Sequence, residues 1–403
     1  MPEAVIVATA RTPIGRAFKG SLTAMRPDDL AALIVSDVLT HVPELNPGEV
    51  EDVIVGTASP AGEGGYNLAR VVALLADLPQ APGVTVNRYC SSSLQSIRMA
   101  AHAIRAGEGD VFVAAGVETV SRFGAGAADG MPDTHNPRFN EAAERTATRA
   151  AGGQSTWTPP DGLPDIYIAM GQTAENVREQ TGLTRREMDE FAALSQQRAV
   201  AAQASGYFER EITPVTLPDG TIVSVDDGPR PGTTVERLAA LRPVFRPDGE
   251  VTAGNSCPLN DGAAAVVVMS DIRAAQLGIT PLARIVASGV TALDPEIMGL
   301  GPVEACKQAL KRAGMGIEDV DLVEINEAFA AQVVPSASQL GIDWAKLNVH
   351  GGAIALGHPF GMTGARIMTT LINGLRTDDK TIGLESMCVG GGQGMAMIIE
   401  RLS

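Results

Sequence analysis

The chain predicts an α/β fold built from two similar lobes, and three observations carry that expectation. Short Val/Ile/Ala-rich runs alternate with helical stretches from the first residues to the last. The apolar runs are continuous rather than alternating, as strands are when helices cover both faces of a sheet. The element order of the first half recurs in the second at an offset of roughly 280 residues.

In order, the first half reads as strand Ala4–Ala8, helix Asp28–Val42, strand Val53–Gly56 and helix Asn67–Leu78. A short buried strand, Gly83–Asn87, leads into a helix from Ser91 to Ala106. Leu94, Ile97, Ala101 and Ile104 share one face of that helix, and Gly107 marks its end. Strand Val111–Val117 follows. A polar region rich in Gly and Pro then interrupts the order from about Arg122 to Glu250. Its one clear helix, Thr184–Ser205, opens on a capping box, Thr184-Arg-Arg-Glu187. Strand Ala263–Met269 resumes the pattern. The second half gives strand Ala283–Val290, helix Val303–Ala313, strand Asp321–Ile325 and helix Asn326–Leu340. A Gly-rich turn, Val349–Gly361, precedes helix Met362–Leu375 and strands Thr381–Met387 and Gly394–Glu400. The domain expectation is a first lobe (1–121 plus 251–279), an inserted loop domain (122–250) and a second lobe (280–403). Matched lobes would bring equivalent helix N-termini face to face, a natural place for chemistry.

Composition narrows the function. The 47 Asp and Glu outnumber the 31 Lys and Arg, giving a net charge of -16, which argues against a nucleic-acid partner. The four cysteines, at 90, 257, 306 and 388, have the spacing of neither a zinc site nor a disulfide framework, so a reducing, cytoplasmic setting fits and no metal is expected. The N-terminus shows no basic leader or long apolar run, and neither a signal peptide nor a membrane span is expected.

Chemistry concentrates in four places. Cys90 stands where a strand gives way to the first free N–H groups of a helix, whose partial positive charge favours thiolate. That pattern alone fits either a nucleophile or a buried structural cysteine. In the second half, Glu324-Ile-Asn-Glu-Ala-Phe329 lies at a strand-to-helix junction. Asn348 to Gly361 carries His350, His358 and four glycines, and Cys388-Val-Gly-Gly-Gly-Gln-Gly394 joins two apolar strands. Glycine runs at strand ends let the backbone approach a ligand and turn N–H groups toward it.

Taken together, Asn87-Arg-Tyr-Cys-Ser-Ser92, Asn326-Glu-Ala-Phe329, Gly357-His-Pro359 and Cys388-Val-Gly-Gly-Gly392 resemble the thiolases, acyl-CoA acyltransferases that act through an acylated cysteine. The resemblance runs from Arg11-Thr-Pro-Ile-Gly15 to the Cys388 loop. It implies a duplicated five-layer α-β-α-β-α core with an inserted loop domain. By position it implies that Cys90 is acylated, that His358 activates the thiol, and that Asn326 holds a water in one oxyanion site. Cys388 would move the proton, and the N–H groups of Cys90 and Gly390 would form the second oxyanion site. The substrates implied are acyl-CoA and CoA, with no further cofactor. The assembly implied is a homodimer or homotetramer, with a hydratase–dehydrogenase subunit of fatty-acid breakdown as a candidate partner.

For CoA, Arg230, Arg237, Arg242 and Arg246 form a basic patch against Glu236 alone, and Arg230 matches the position facing the adenine end. Met170 and Phe245 match the pantetheine tunnel, and Met298 and Phe329 the acyl pocket. Cys257, followed by Pro258, replaces a serine that contacts pantetheine in biosynthetic thiolases, and Ala169 replaces a histidine there. These departures point to a degradative 3-ketoacyl-CoA thiolase of β-oxidation over a biosynthetic acetoacetyl-CoA enzyme. His350, Cys306 and Met362, Met368, Met387, Met395 and Met397 are expected to pack. Two other readings, a ketoacyl synthase and a non-catalytic acyl-CoA-binding subunit, sit badly with Cys388 and with four filled catalytic positions.

Overall fold

The computed structural model describes residues 2–125, 133–153 and 155–403. The first half supplies β1 (Ala4–Arg11), β2 (Gly15–Arg16), α1 (Pro27–Thr40), β3 (Asp52–Gly56), α2 (Leu68–Leu75), β4 (Gly83–Val86), α3 (Ser92–Ala106) and β5 (Val111–Thr119). Next come α4 (Asn140–Ala150), α5 (Met170–Thr181), α6 (Arg185–Ala204), β6 (Val215–Thr216), β7 (Ile222–Val223) and α7 (Val235–Ala239). β8 (Asn260–Ser270) and α8 (Asp271–Leu277) complete this part. The second half runs β9 (Ala283–Ala292), α9 (Gly301–Ala313), β10 (Leu322–Ile325), α10 (Ala330–Leu340), α11 (Ala353–Leu356), α12 (Thr363–Thr377), β11 (Ile382–Val389) and β12 (Gln393–Arg401).

The sheet order makes the duplication explicit. Strands run β10-β11-β12-β9-β1-β8-β5-β3-β4, with β2 beside β8. Read outward from the β1–β9 junction, β1-β8-β5-β3 on one side matches β9-β12-β11-β10 on the other. The pairing sense matches too: β3–β5 and β10–β11 are parallel, while the next two pairs on each side are antiparallel. A parallel bridge between Val323 and Leu347 stands where a counterpart of β4 would lie. The halves meet at β1–β9 through two residue pairs, Val5–Arg284 and Ile6–Ala283.

Three apolar clusters separate five layers. α1 and α2 cover the outer face of the first sheet half through Leu30, Ile34, Val35, Val72 and their neighbours. α3 and α12 fill the middle with Leu94, Ile97, Ile104, Ile367 and Leu371. α9 and α10 cover the second half through Cys306, Leu310, Val333 and Ala337. β5, β8 and β10 are buried at every residue, which fits their largely apolar sequences, with Glu118, Asp261 and Glu324 among the buried exceptions. Cys306 and the five methionines are core, and His350 stacks on Tyr207 with ring centroids 3.7 Å apart.

Three expectations need correction. Gly83–Val86 is the sheet edge, half-buried throughout, because none of the described residues pairs with its outer side. The insertion holds α4 and α5 besides α6. α4 buries only Ala142, so it shows no apolar stripe. The Gly-rich turn contains the short helix α11. The capping box is present as read: Thr184 Oγ1 accepts from the Glu187 N–H, and Glu187 answers to the Thr184 N–H at 2.8 Å.

The two central helices touch at their N-terminal ends. A Cβ on Gly364 of α12 would lie 2.4 Å from the Leu94 nitrogen of α3, and the Ala365 N–H donates to Ser93 Oγ at 2.9 Å. Only glycine permits that approach, and it brings the segments carrying Cys90 and His358 together.

Candidate active site

Cys90 sits in a single 3-10 turn, Tyr89–Ser91, between β4 and α3. Tyr89 is left-handed at φ 44°, a conformation that costs a non-glycine residue on the order of 1 kcal/mol. Three hydrogen bonds hold it. Asn87 Oδ1 accepts the Tyr89 N–H at 2.8 Å, and Ser92 Oγ accepts the Arg88 N–H at 2.9 Å while donating to the Tyr89 carbonyl at 2.7 Å. Arg88 donates to Gln95 Oε1 at 3.0 Å and reaches the other half at Gln393 Oε1, 2.7 Å away. Thus Asn87, Arg88, Ser92 and Gln393 fix the cysteine turn against the loop that follows Cys388.

That loop turns through Gly391 and Gly392, at φ 73° and 76°. It aims the Gly390 N–H at the Cys90 sulfur, toward which Cys90's own N–H also points. Cys388, at the end of β11, is fully buried and feels the charge of both Cys90 and Cys257, so three sulfurs share one locality.

His358 follows Gly357, where a Cβ would collide with the Asn260 side chain. Asn260 Oδ1 accepts the His358 N–H at 3.0 Å, and its Nδ2 donates to the Gly15 carbonyl at 3.0 Å, so Asn260 joins the histidine loop to the Arg11–Gly15 motif. The ring's Nε2 faces Asn326 Nδ2 at 3.3 Å. Asn326 Oδ1 is buried and takes no hydrogen bond from the described residues, an acceptor suited to a water. Next to it Glu327 accepts from Ser195 Oγ (2.6 Å), Asn348 Nδ2 (2.8 Å) and the Ile354 N–H (3.0 Å), bracing the turn before His358.

Electrostatics correct one expectation. Burial pushes the Cys90 thiol up to about 12, against the pull of the Gly390 and Cys90 N–H groups and with a further push from Glu118. Desolvation outweighs the helix terminus, so the resting group is a thiol, not a thiolate. Burial, then the charges of Cys90 and Cys257, raise Cys388 as well. Burial, with Arg366 adding to it, lowers His358 to about 3, which keeps the imidazole neutral and able to accept a proton.

Cys90 opens on a cavity of about 400 Å³ walled by Tyr89, Ile166, Tyr167, Ile168, Met170 and Phe360. His135 borders it, stacked on Tyr167 at 4.0 Å between centroids. Of the residues expected to bind substrate, only Met170 lines this cavity. Phe245 packs edge-on against Phe329, with centroids 5.9 Å apart, and Met298 and Phe329 lie in the outer apolar core beside Cys388. Cys257 donates its N–H to the Ala328 carbonyl at 3.0 Å. Arg230 is exposed. Arg246 does not belong to a basic patch: it is buried, with its guanidinium on Gln172, Asn176 and Glu179 at 2.7, 2.6 and 2.7 Å.

Duplicated α/β halves that set Cys90 and Cys388 in one locality and pair the His358 imidazole with the Asn326 amide fit an acyltransferase working through a cysteine. The chain belongs to the thiolase family: the thiolase N-terminal domain matches residues 4–271 and the thiolase C-terminal domain residues 279–401. It is an acyl-CoA C-acyltransferase. It is 45% identical over 411 residues to a beta-ketoadipyl-CoA thiolase of Acinetobacter baylyi, covering 100% of both chains. It is 43% identical over 414 residues to a 3-ketoacyl-CoA thiolase of Bacillus subtilis, covering 99% of this chain and 100% of that one. Among solved structures, the dimeric peroxisomal thiolase of Saccharomyces cerevisiae superposes with a TM-score of 0.89 at 37% identity, covering 99% and 97% of the two chains. The Bacillus anthracis acetyl-CoA acetyltransferase gives 0.86 at 39%, covering 100% and 99%.

Proposed function

We propose that this thiolase runs in the degradative direction, cleaving 3-ketoacyl-CoA with CoA in β-oxidation, and that four side chains divide the work. The Cys90 proton passes to His358 Nε2, and the sulfur attacks the 3-keto carbon. The C2–C3 bond breaks with its electron pair on C2, and Cys388 protonates that carbanion, releasing acetyl-CoA. The Cys388 thiolate then takes the proton of an incoming CoA thiol. CoA attacks the acyl-Cys90 thioester, and His358 returns the proton to Cys90 as the shortened acyl-CoA leaves. The Gly390 and Cys90 N–H groups stabilise the thioester oxyanion, and His358 Nε2–H with an Asn326-held water stabilises the other. CoA enters as a substrate, and its adenine end faces Arg230.

The observation that carries this reading is the Gly390 N–H directed at the Cys90 sulfur, because it unites the nucleophile with the loop that follows the second thiol. Among the described residues, apart from Thr134 and His135, the cavity's side chains are apolar, aromatic or the nucleophile itself, which supports an uncharged acyl chain. The test is turnover of 3-ketoacyl-CoA substrates of rising chain length with CoA, beside beta-ketoadipyl-CoA. Preference for the dicarboxylate, or faster condensation of acetyl-CoA than thiolysis, would overturn it.

For the assembly we propose a homodimer through β4. Val84 and Val86 are half-exposed on an edge strand, Leu74 and Leu75 of α2 are exposed, and one structural neighbour is dimeric. Sedimentation of a Val84→Lys variant as a monomer is expected.

A further inference from the structure

The nitrogen of His358 that faces away from Asn326 is held more closely than the one that faces it. Nδ1 lies 2.6 Å from Thr363 Oγ1, and both groups are buried. From the first residue of α12, Thr363 Oγ1 also donates to the Pro359 carbonyl at 2.7 Å, four residues back and ahead of the helix. A hydroxyl has one proton. With that proton committed to Pro359, Oγ1 can only accept from the ring, so Nδ1 carries hydrogen and Nε2 carries the lone pair. Nε2 meets a donor, Asn326 Nδ2, at 3.3 Å, which suits a lone pair and not an N–H.

We propose that Thr363 is a positioning residue that fixes His358 in the Nδ1–H tautomer, leaving Nε2 as the base. The proposal rests on His358 being the base for Cys90. When the Cys90 proton arrives, the S–H bond breaks, its electron pair stays on sulfur and an Nε2–H bond forms. Nδ1–H never leaves Thr363, so the same ring changes from acceptor to oxyanion donor at Nε2 without turning. The placement is rigid as well. Thr363 adjoins Gly364, whose contact with Leu94, together with the Ala365–Ser93 bond, ties the start of α12 to the helix that begins beside Cys90.

The test uses the full-length enzyme labelled with 15N-histidine, in which His358→Gln assigns one of five histidines. His358 is expected to show a protonated Nδ1 and an unprotonated Nε2 from about pH 6 to 9. Thr363→Val, similar in shape but without an acceptor, should mix the tautomers and lower kcat by about 10²-fold with KM for CoA little changed. Thr363→Ser should recover both the nitrogen signature and most of the rate. A wild-type ring protonated at Nε2 overturns the proposal with no variant needed. So does a Thr363→Val enzyme, or Thr363→Ala if valine does not fold, with wild-type nitrogen shifts and kcat. Undiminished acylation of Cys90 in His358→Gln would instead overturn the underlying assignment of the base.

Discussion

Glu118 accepts the amide proton of Gly361 at 2.9 Å across 243 residues of sequence. The same carboxylate takes the N–H groups of Ala58 at 2.8 Å and Ser59 at 3.3 Å, and the Thr57 hydroxyl at 3.2 Å. One buried side chain at the end of β5 therefore fastens the turn after His358 to the end of β3. Burial lifts this carboxyl to about 7 in spite of those donors. Glu118→Gln would turn an NH₂ toward at least one N–H that needs an acceptor. We expect about 1–3 kcal/mol of lost stability by urea denaturation and a fall in kcat of about tenfold or more.

Replacing either thiol separates the two half-reactions. Cys90→Ser should abolish acyl transfer to the protein. Cys388→Ser should still be acylated at residue 90 by an activated acyl thioester, yet lose at least about 10²-fold in thiolysis. Mass spectrometry of the intact protein reads the first result and acetyl-CoA release the second. A fully active Cys388→Ser enzyme would remove Cys388 from the mechanism.

The contact between Gly364 and Leu94 leaves no room for a methyl group. A Cβ there would stand 2.4 Å from the Leu94 nitrogen and 2.6 Å from its Cβ. Gly364→Ala should cost about 1–3 kcal/mol by thermal or chemical unfolding. It should also lower kcat, because parting α3 from α12 parts Cys90 from His358.

Stability should fall as the pH rises from mildly acidic to mildly alkaline. Burial raises the Glu324 carboxyl from its ordinary 4.5 to about 8, with Glu327 and Glu211 adding repulsion and Arg366 and Arg198 opposing it. A folded-state value above the unfolded one favours the native protein fully below pH 4.5, and that advantage is lost as the pH climbs through 8. Urea unfolding across this window should show a shallower decline for Glu324→Gln than for the wild type. An identical slope would mean that Glu324 titrates normally.

What could be read from the residues was whatever local pattern encodes. Continuous apolar runs gave the sheet, Gly107 gave the end of α3, and the setting of Cys90 marked the first candidate catalytic segment. The contacts that arrange the site join residues far apart in sequence and leave no local trace. Asn260 on the His358 loop, Arg88 on Gln393 and Glu118 on Gly361 are of this kind, although Arg88 and Gln393 lay inside the motifs. Arg246 looked like a free cation because its partners on α5 are more than 60 residues away. Ile166 and Ile168 wall the cavity from an irregular segment with no periodicity to reveal it. The charge of Cys90 was misjudged for a related reason: a helix terminus is visible in sequence, whereas the depth of burial that outweighs it is a property of the folded whole.

The mirrored strand order divides the candidate site between the two halves. Two halves with one strand plan carry different residues, and the candidate site draws on both. The first half carries Cys90; the second carries His358, Asn326 and Cys388. Neither half carries all four of these groups, so the two lobes are expected to be active only as one polypeptide.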